Sequence, residues 1–237
     1  MDWVCKNAAV MLSEMVDYSV ENVVLLQKCL EKEIAVADLR SVFDKIESHI
    51  DFQSSRYGMS AVLLGYMGYY HPSRIIDFVF DNVKRGRLTR KEPFMPKFVY
   101  DYDISGTLVR IKNTELKTDT YVICADTYRV CVSREAPTGE IVSVTIILND
   151  DYGRIEKWIQ YHWYFKMTKM YQVFMEIYRY EDEKAFCTAI HGMCGEEEII
   201  YGLSNTEFSI KLDSNGKILN VNFCEAPSVI KQRHLLF

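Results

Sequence analysis

The sequence has little glycine, little proline and no long apolar run. Its 237 residues include 11 glycines, 5 prolines and no stretch of low complexity, which excludes a disordered chain. Its longest weakly polar run, residues 59–70, is about half the roughly 20 residues that a membrane-spanning helix needs. The first residues lack the apolar stretch and cleavage site of a signal peptide. We therefore expect a folded, cytoplasmic protein without a membrane span.

Cysteine is present, but not in the pattern of a disulfide framework. Seven cysteines are scattered through segments with helical or strand patterns, and an odd number cannot all pair within one chain. Cysteines of this kind are typically small buried side chains in a reducing compartment. The pattern favours free thiols, in agreement with a cytoplasmic location.

Concentrated positive charge is also in short supply. The net charge of −5 arises entirely in residues 98–237, which hold 15 basic and 20 acidic side chains. Nucleic-acid binding needs concentrated positive charge, and the basic run Lys84–Lys91 has no interleaved aromatic residues that would stack on bases. A phosphate contact by this run is the weaker alternative. The charge pattern favours a basic protein partner over nucleic acid.

The first ninety residues have apolar side chains three and four positions apart, which is the spacing of helices. Five helices are predicted: Trp3–Asp17, Ser19–Glu33, Val36–Ile50, Ala61–Tyr69 and Pro72–Gly86. Proline at the start and glycine at the end delimit the fifth helix best. A basic, proline-marked connector follows. Residues 91–97 are predicted as a linker between a helical region, 1–90, and a second region, 98–237.

The second region has the pattern of short strands separated by turns. The clearest signal is Asp213–Gly216 between two β-rich runs, because asparagine and glycine tolerate the positive φ angles of a tight hairpin turn. Lys184–Met193 fits a short helix as well as a strand. We predict an α+β fold, with an N-terminal helical half of about five helices packed on a C-terminal, mostly antiparallel β-meander.

The block Ile155–Tyr180 concentrates nine aromatic residues in two alternating runs. We predict that these runs pair as an antiparallel hairpin with a five-residue loop, which sets Tyr161 opposite Met175 and Ile159 opposite Ile177. A four-residue loop would mix apolar and polar side chains on each face, and burial of one face fixes the register. The odd-numbered positions then form a strongly apolar core face.

The even-numbered positions of the hairpin form a second face, which mixes rings with polar groups. If helices cover this face, its rings are core residues. If they do not, the mixture suits a partner-binding surface, since large rings give contact area and polar groups give directional hydrogen bonds. The candidate partner-binding residues are Trp158, His162, Tyr164, Phe174, Glu176 and Tyr178.

No catalytic, metal or cofactor motif accompanies this block. Cys187, His191 and Cys194 are residue types that bind zinc, but their spacing matches no standard site. No phosphate-binding loop or dinucleotide fingerprint is present. The alternative function is a hydrolase that uses His162 and Glu176 as acid and base in a groove between helices and sheet. We predict no cofactor and favour a binding protein over an enzyme.

The overall profile is acidic, aromatic-rich and without a catalytic signature. In this broad character it resembles the toxin-neutralising immunity proteins of bacteria, although no motif is shared. The resemblance implies an inhibitory module whose partner is a basic toxin or enzyme. The expected function is therefore binding of a basic protein partner through the aromatic and acidic face of the β-rich region.

Overall fold

The computed structural model describes most of the chain. The described residues are 9–15, 18, 20–60, 64–79, 84–165, 170–195, 200–224 and 228–230. The chain divides into two compact units, of which the first is Ala37–Val144 and the second combines Asp2–Val36 with Thr145–Phe237. The predicted linker, residues 91–97, lies within the first unit. As a boundary between separately folding regions, it stays a prediction.

Most of the protein is antiparallel β-sheet. Strands account for 48% of the residues and helices for 21%, so the predicted α+β fold with a five-helix half is wrong. Eleven strands follow one another in chain order through the sheet, and a short twelfth strand pairs with the tenth. The strands are β1 Ile50–Gly58, β2 Phe98–Asp103, β3 Leu108–Asn113, β4 Thr118–Cys124, β5 Tyr128–Glu135, β6 Ile141–Asn149, β7 Ile155–Phe165, β8 Met170–Glu181, β9 Lys184–Gly195, β10 Ile200–Leu212, β11 Ile218–Phe223 and β12 Ser228–Ile230.

Two of the predicted helices are present. Helix α1 spans Val20–Val36 and α2 spans Leu39–Ser48, close to the second and third predicted segments. Asp38 caps α2, since its carboxylate accepts a hydrogen bond from the Ser41 N–H. Residues 9–14 are also helical, and the rest of the first predicted helix lies largely outside the described residues.

The fourth and fifth predicted helices are not formed as expected. Gly65 and Gly68 take φ angles of +54° and +53°, which interrupt a right-handed helix. Within the described residues of the fourth helix, 64–69, the chain forms turns and the start of a 3₁₀ helix, Gly68–Tyr70. Of the fifth, the described residues contain one helical turn, α3, Ile76–Val79. The apolar spacing here serves a loop that buries Leu64, Met67 and Ile75.

Strand β1 is a further departure, because it lies in the region expected to be helical. Its sequence is largely polar and does not alternate, so it gives no strand signal. Pairing with β2 forms it, and a bulge between Asp51 and Arg56 interrupts that pairing. The predicted hairpin at Asp213–Gly216 is confirmed, with β10 and β11 antiparallel on either side and Gly216 at φ +74°. The ambiguous segment Lys184–Met193 is strand β9.

In each unit a helix packs on the strands. In the first unit the ring of Phe43 in α2 stacks on Tyr121 of β4, with centroids 4.1 Å apart. In the second unit α1 buries its apolar stripe, which includes Val23 and Leu26. The Tyr161 hydroxyl of β7 donates a hydrogen bond of 3.1 Å to the Val23 carbonyl oxygen, so this helix lies on the odd-numbered face of the hairpin.

Candidate functional site

The aromatic hairpin forms as β7 and β8, with its two faces as predicted but its register displaced. Tyr161 pairs with Val173 and Ile159 with Met175, whereas the sequence predicted Tyr161 opposite Met175. The shift is two residues. Because side chains alternate with a period of two, such a shift leaves the side chains of Lys157–His162 and Gln172–Ile177 on their predicted faces.

A bulge in β7 explains the displacement. His162 pairs with Gln172 and Phe165 with Met170, so β7 advances three residues while β8 advances two. The hairpin closes over the four residues 166–169, which lie outside the described part. The sequence argument against a four-residue loop was that it would mix the faces. The extra residue in the bulge restores the face order and removes that objection.

The odd-numbered face is core, as expected. Ile159, Tyr161, Val173 and Met175 are all buried, and α1 covers Tyr161 through the bond to its backbone. Burial of four side chains of this size provides much of the hydrophobic stabilisation of the second unit.

The even-numbered face has a buried part, which we call the buried triad: Trp158, Glu176 and Tyr178. These side chains are 2%, 8% and 3% exposed. The Glu176 carboxylate accepts hydrogen bonds from Trp158 Nε1, at 2.9 Å, and from the Tyr178 hydroxyl. Two donors therefore compensate a charge that burial would otherwise make costly. The three side chains belong to the interior.

The thiol of Cys187 extends this buried region onto β9, where it pairs with Tyr178. Burial raises the pKa of Cys187 far above its usual value, and the Glu176 carboxylate adds to the effect. A thiol in this setting stays protonated and is a poor nucleophile. The region beside the triad thus has no activated nucleophile at Cys187.

The other part of the even-numbered face reaches the surface, and we call it the open patch: His162, Gln172, Phe174 and His191. Its first three side chains are half-buried and His191 is exposed. The rings of Phe174 and His191 stack with centroids 4.4 Å apart and planes 5° from parallel. Gln172 Nε2 lies 2.8 Å from His191 Nε2. The patch presents an aromatic pair that is already ordered by its neighbours.

Both histidines of the open patch are neutral near pH 7. Burial lowers the pKa of His162 to about 4, and partial desolvation of its ring lowers the pKa of His191 as well. Nε2 of a neutral His191 ring can accept a hydrogen bond from the Gln172 amide. The patch therefore offers rings and hydrogen-bonding groups without positive charge of its own.

Five of the six candidate residues are thus divided between two environments. Trp158, Glu176 and Tyr178 lie in the buried triad, and His162 and Phe174 lie in the open patch. Tyr164 lies on β7, and its side chain is outside the described part. That these residues contact a partner stays a prediction. Because the buried triad lies in the interior, the prediction is restricted to the residues of the open patch. Sequence reasoning did not include His191 and Gln172, whose contribution depends on the pairing of β9 with β8.

The acid and base of the alternative hydrolase are not adjacent. His162 pairs with Gln172, whereas Glu176 pairs with Trp158. Four residues along a strand separate the two positions, or about 13 Å at 3.3 Å per residue. The two side chains are therefore not neighbours on this face, and the Glu176 carboxylate already accepts two hydrogen bonds.

The candidate zinc ligands do not converge either. Cys187 and His191 lie four residues apart on the same strand, about 13 Å, whereas zinc ligands lie about 2.0–2.3 Å from the metal. The side chain of Cys194 is outside the described part. Within the residues that the structure describes, no group of three or more metal-ligating side chains is found.

A second polar cluster, which sequence reasoning missed, lies in the first unit. Arg110 and Asp101 form a buried ion pair of 2.8 Å, and Ser55 Oγ donates to the same carboxylate at 2.7 Å. Arg110 also lies 3.4 Å from Glu47 of α2. Asp103, two residues further along the chain, has a different role at a turn, where its carboxylate accepts a hydrogen bond from the Ser105 N–H. The ion pair is satisfied internally and links helix to sheet.

The basic run Lys84–Lys91 is partly committed to structure. Arg85 pairs with Asp77 and donates to the carbonyl oxygens of His71 and Ser73, so it is not available to a phosphate. The Ser73 N–H donates to His71 Nδ1 at 3.2 Å, which requires that ring nitrogen to be unprotonated. Burial, and then the charge of Arg85, lower the pKa of His71 to about 3.

Comparisons of the chain with protein-family models, with curated proteins and with solved structures found no match. Among the described helices, none combines the length and the apolar composition that crossing a bilayer requires. A proposal for the function of this chain must therefore come from the chemistry of its own residues. The open patch is the surface on which we base it.

Proposed function

We propose that the protein is an intracellular binding or inhibitory module that recognises a basic protein partner through the open patch of β7, β8 and β9. One observation carries the proposal: the stacked pair of Phe174 and His191, which lies partly exposed on paired strands and is held by Gln172. A stacked, partly exposed ring pair of this kind is a typical anchor of protein interfaces.

The open patch lies on paired strands, which order its side chains before a partner binds. Strand β8 pairs with β7 on one side and β9 on the other, and Glu176 of the buried triad follows Phe174 by two residues on β8. Side chains that are ordered before binding lose little entropy on association. The half-buried rings can thus contribute contact area at low cost.

Charge supports a basic partner. Residues 98–237 carry an excess of five acidic over basic side chains, and the two histidines of the patch add no positive charge at neutral pH. A net negative charge speeds association with a positively charged protein and discriminates against acidic ones. Cys29, Cys124, Cys187 and Cys224 form no disulfide, which supports the reducing, intracellular setting that is part of the proposal.

The test compares His191→Ala with Phe94→Ala, which removes an exposed ring from the first unit. Each purified variant is immobilised and exposed to an extract of the source cells, and a retained protein is then purified and titrated. We expect the wild type and Phe94→Ala to bind one basic protein equally, and His191→Ala to bind it about tenfold more weakly, since loss of an interface ring costs more than about 1 kcal/mol.

Phe174→Ala should weaken binding in the same way, and unfolding midpoints of all variants separate this effect from loss of fold. Higher salt should weaken the wild-type complex, because its charges attract over a distance that ions screen. Equal binding by the wild type and both patch variants would contradict the proposal, as would the absence of any retained protein.

A further inference from the structure

Strand β11 is the last strand in the order of the sheet, and its outer side has no neighbour among the described residues. Exposed edge strands are usually protected by charge, proline or coverage, because their free backbone groups pair with other chains. The sequence of β11, ILNVNF, contains neither a charged residue nor proline. Leu219 and Phe223 are 53% and 66% exposed. Within the part of the chain that the structure describes, nothing protects this edge.

The backbone groups that point outward can be assigned from the pairing with β10. The Cys224 N–H donates to the Glu207 carbonyl oxygen at 2.9 Å, so position 224 directs its backbone groups towards β10. In an antiparallel ladder this direction alternates along the strand. Val221 and Phe223 therefore direct their N–H and C=O groups to the open edge, while Asn220 and Asn222 direct theirs to β10.

The sequence of side chains along β11 is self-complementary. An antiparallel copy centred on Val221 would set Leu219 opposite Phe223 and Asn220 opposite Asn222 of the other chain. Apolar side chains then meet on one face and amides on the other. No like charges are brought together, and the outward backbone groups of Val221 meet their equivalents. A two-fold axis requires such a self-complementary patch.

We infer that β11 pairs with β11 of a second copy of this chain, centred on Val221, and joins two sheets into one across a two-fold axis. The contact is small, because one short strand on each side buries less than the roughly 1,200 Å² of a standard interface. The dimer is therefore weak and forms at high protein concentration. This inference is independent of the open patch, which lies on β7, β8 and β9.

Sedimentation equilibrium of the full chain from about 5 to 500 µM tests the inference. Val221→Pro removes an outward N–H but no hydrogen bond to β10, and it should abolish the dimer while the unfolding midpoint stays close to that of the wild type. Leu219→Lys should do the same. The control, Ile104→Lys, changes a side chain that is 89% exposed in the first unit, and it should dimerise like the wild type.

The register has its own test. Lysine at both Asn220 and Asn222 would set like charges opposite each other twice and weaken the dimer about tenfold. Asn220→Asp combined with Asn222→Lys would set opposite charges there and restore it. A wild type that stays monomeric throughout, or a dimer that all of these changes leave intact, overturns the inference. So does dimer formation only after deletion of residues 231–237, because that segment would then be the occupant of the edge.

Discussion

Replacing Tyr178 with phenylalanine deletes one hydroxyl from the buried triad and leaves the ring in place. The lost hydrogen bond ends on the Glu176 carboxylate, which is 8% exposed. Hydrogen bonds to charged groups contribute about 1.5–3 kcal/mol to stability, and water cannot fully replace this donor at a buried site. We expect Tyr178→Phe to lower the free energy of unfolding by about 2 kcal/mol.

Thermal unfolding followed by circular dichroism measures the effect. In a chain of this size, about 2 kcal/mol corresponds to a fall of roughly 4–8 °C in the unfolding midpoint. The matched control is Tyr152→Phe, which removes the same hydroxyl from a side chain that is 83% exposed. It should shift the midpoint by about 1 °C or less, because water satisfies an exposed hydroxyl equally well in the unfolded chain.

A double-mutant cycle identifies the carboxylate as the partner. In a Glu176→Gln background the bond to Tyr178 is neutral, and such bonds contribute only about 0.5–1.5 kcal/mol. Tyr178→Phe should then cost about 1 kcal/mol less than in the wild type. The reasoning is refuted if Tyr178→Phe shifts the unfolding midpoint no more than Tyr152→Phe does. It is also refuted if the effects of Tyr178→Phe and Glu176→Gln on the free energy of unfolding are simply additive.

Three further outcomes follow from the first unit. His71 has a folded pKa of about 3, below its unfolded value of 6.5; its contribution is present above pH 6.5 and declines below it, so His71→Gln should reduce the loss of stability in urea between pH 7 and 5 by about 2 kcal/mol. Gly68→Ala should destabilise strongly, since a Cβ would lie 2.5 Å from the Tyr100 hydroxyl. The control, Gly106→Ala, has a φ of +81° but open space around it, and it should cost only about 1 kcal/mol. Equal shifts of the thermal unfolding midpoint would contradict this prediction. Arg110→Met leaves a buried carboxylate unpaired and should cost about 3–5 kcal/mol in denaturant unfolding; a loss below about 1 kcal/mol would show that the ion pair is not stabilising.

The faces of Lys157–His162 and Gln172–Ile177 could be predicted from sequence, but their pairs could not. Alternation from Ile155 onward specifies which side chains share a face, and burial of Ile159 and Tyr161 confirms it. The bulge between His162 and Phe165 changes the partners without changing the faces. No feature of a single strand announces such an insertion, because both registers bury the same side chains.

The prediction of a five-helix N-terminal half was wrong for a related reason. Apolar residues at spacings of three and four predict a helix only when the backbone between them is helical, and Gly65 and Gly68 are not. The same spacing can place Leu64 and Met67 against a sheet from an irregular loop. Strand β1 could not be foreseen, since its pairing with β2 rather than its own composition forms it.

The buried triad and the open patch could be predicted only as one surface. Alternation assigns Trp158 and Phe174 to the same face, but exposure depends on what packs along each part of that face. His191 enters through the register of β9, in a segment whose sequence fits helix and strand equally. The division of the face is a property of three strands together.

The hydrogen bond between Tyr161 and the Val23 carbonyl has a consequence during synthesis. Its two residues are 138 positions apart, and ribosomes add about 5–20 residues per second. Helix α1 therefore leaves the ribosome on the order of ten to thirty seconds before the strand that covers it. For that interval the apolar stripe of α1 faces solvent and is a target for chaperones, while the strands between, each next to its predecessor, can join the growing sheet as they emerge.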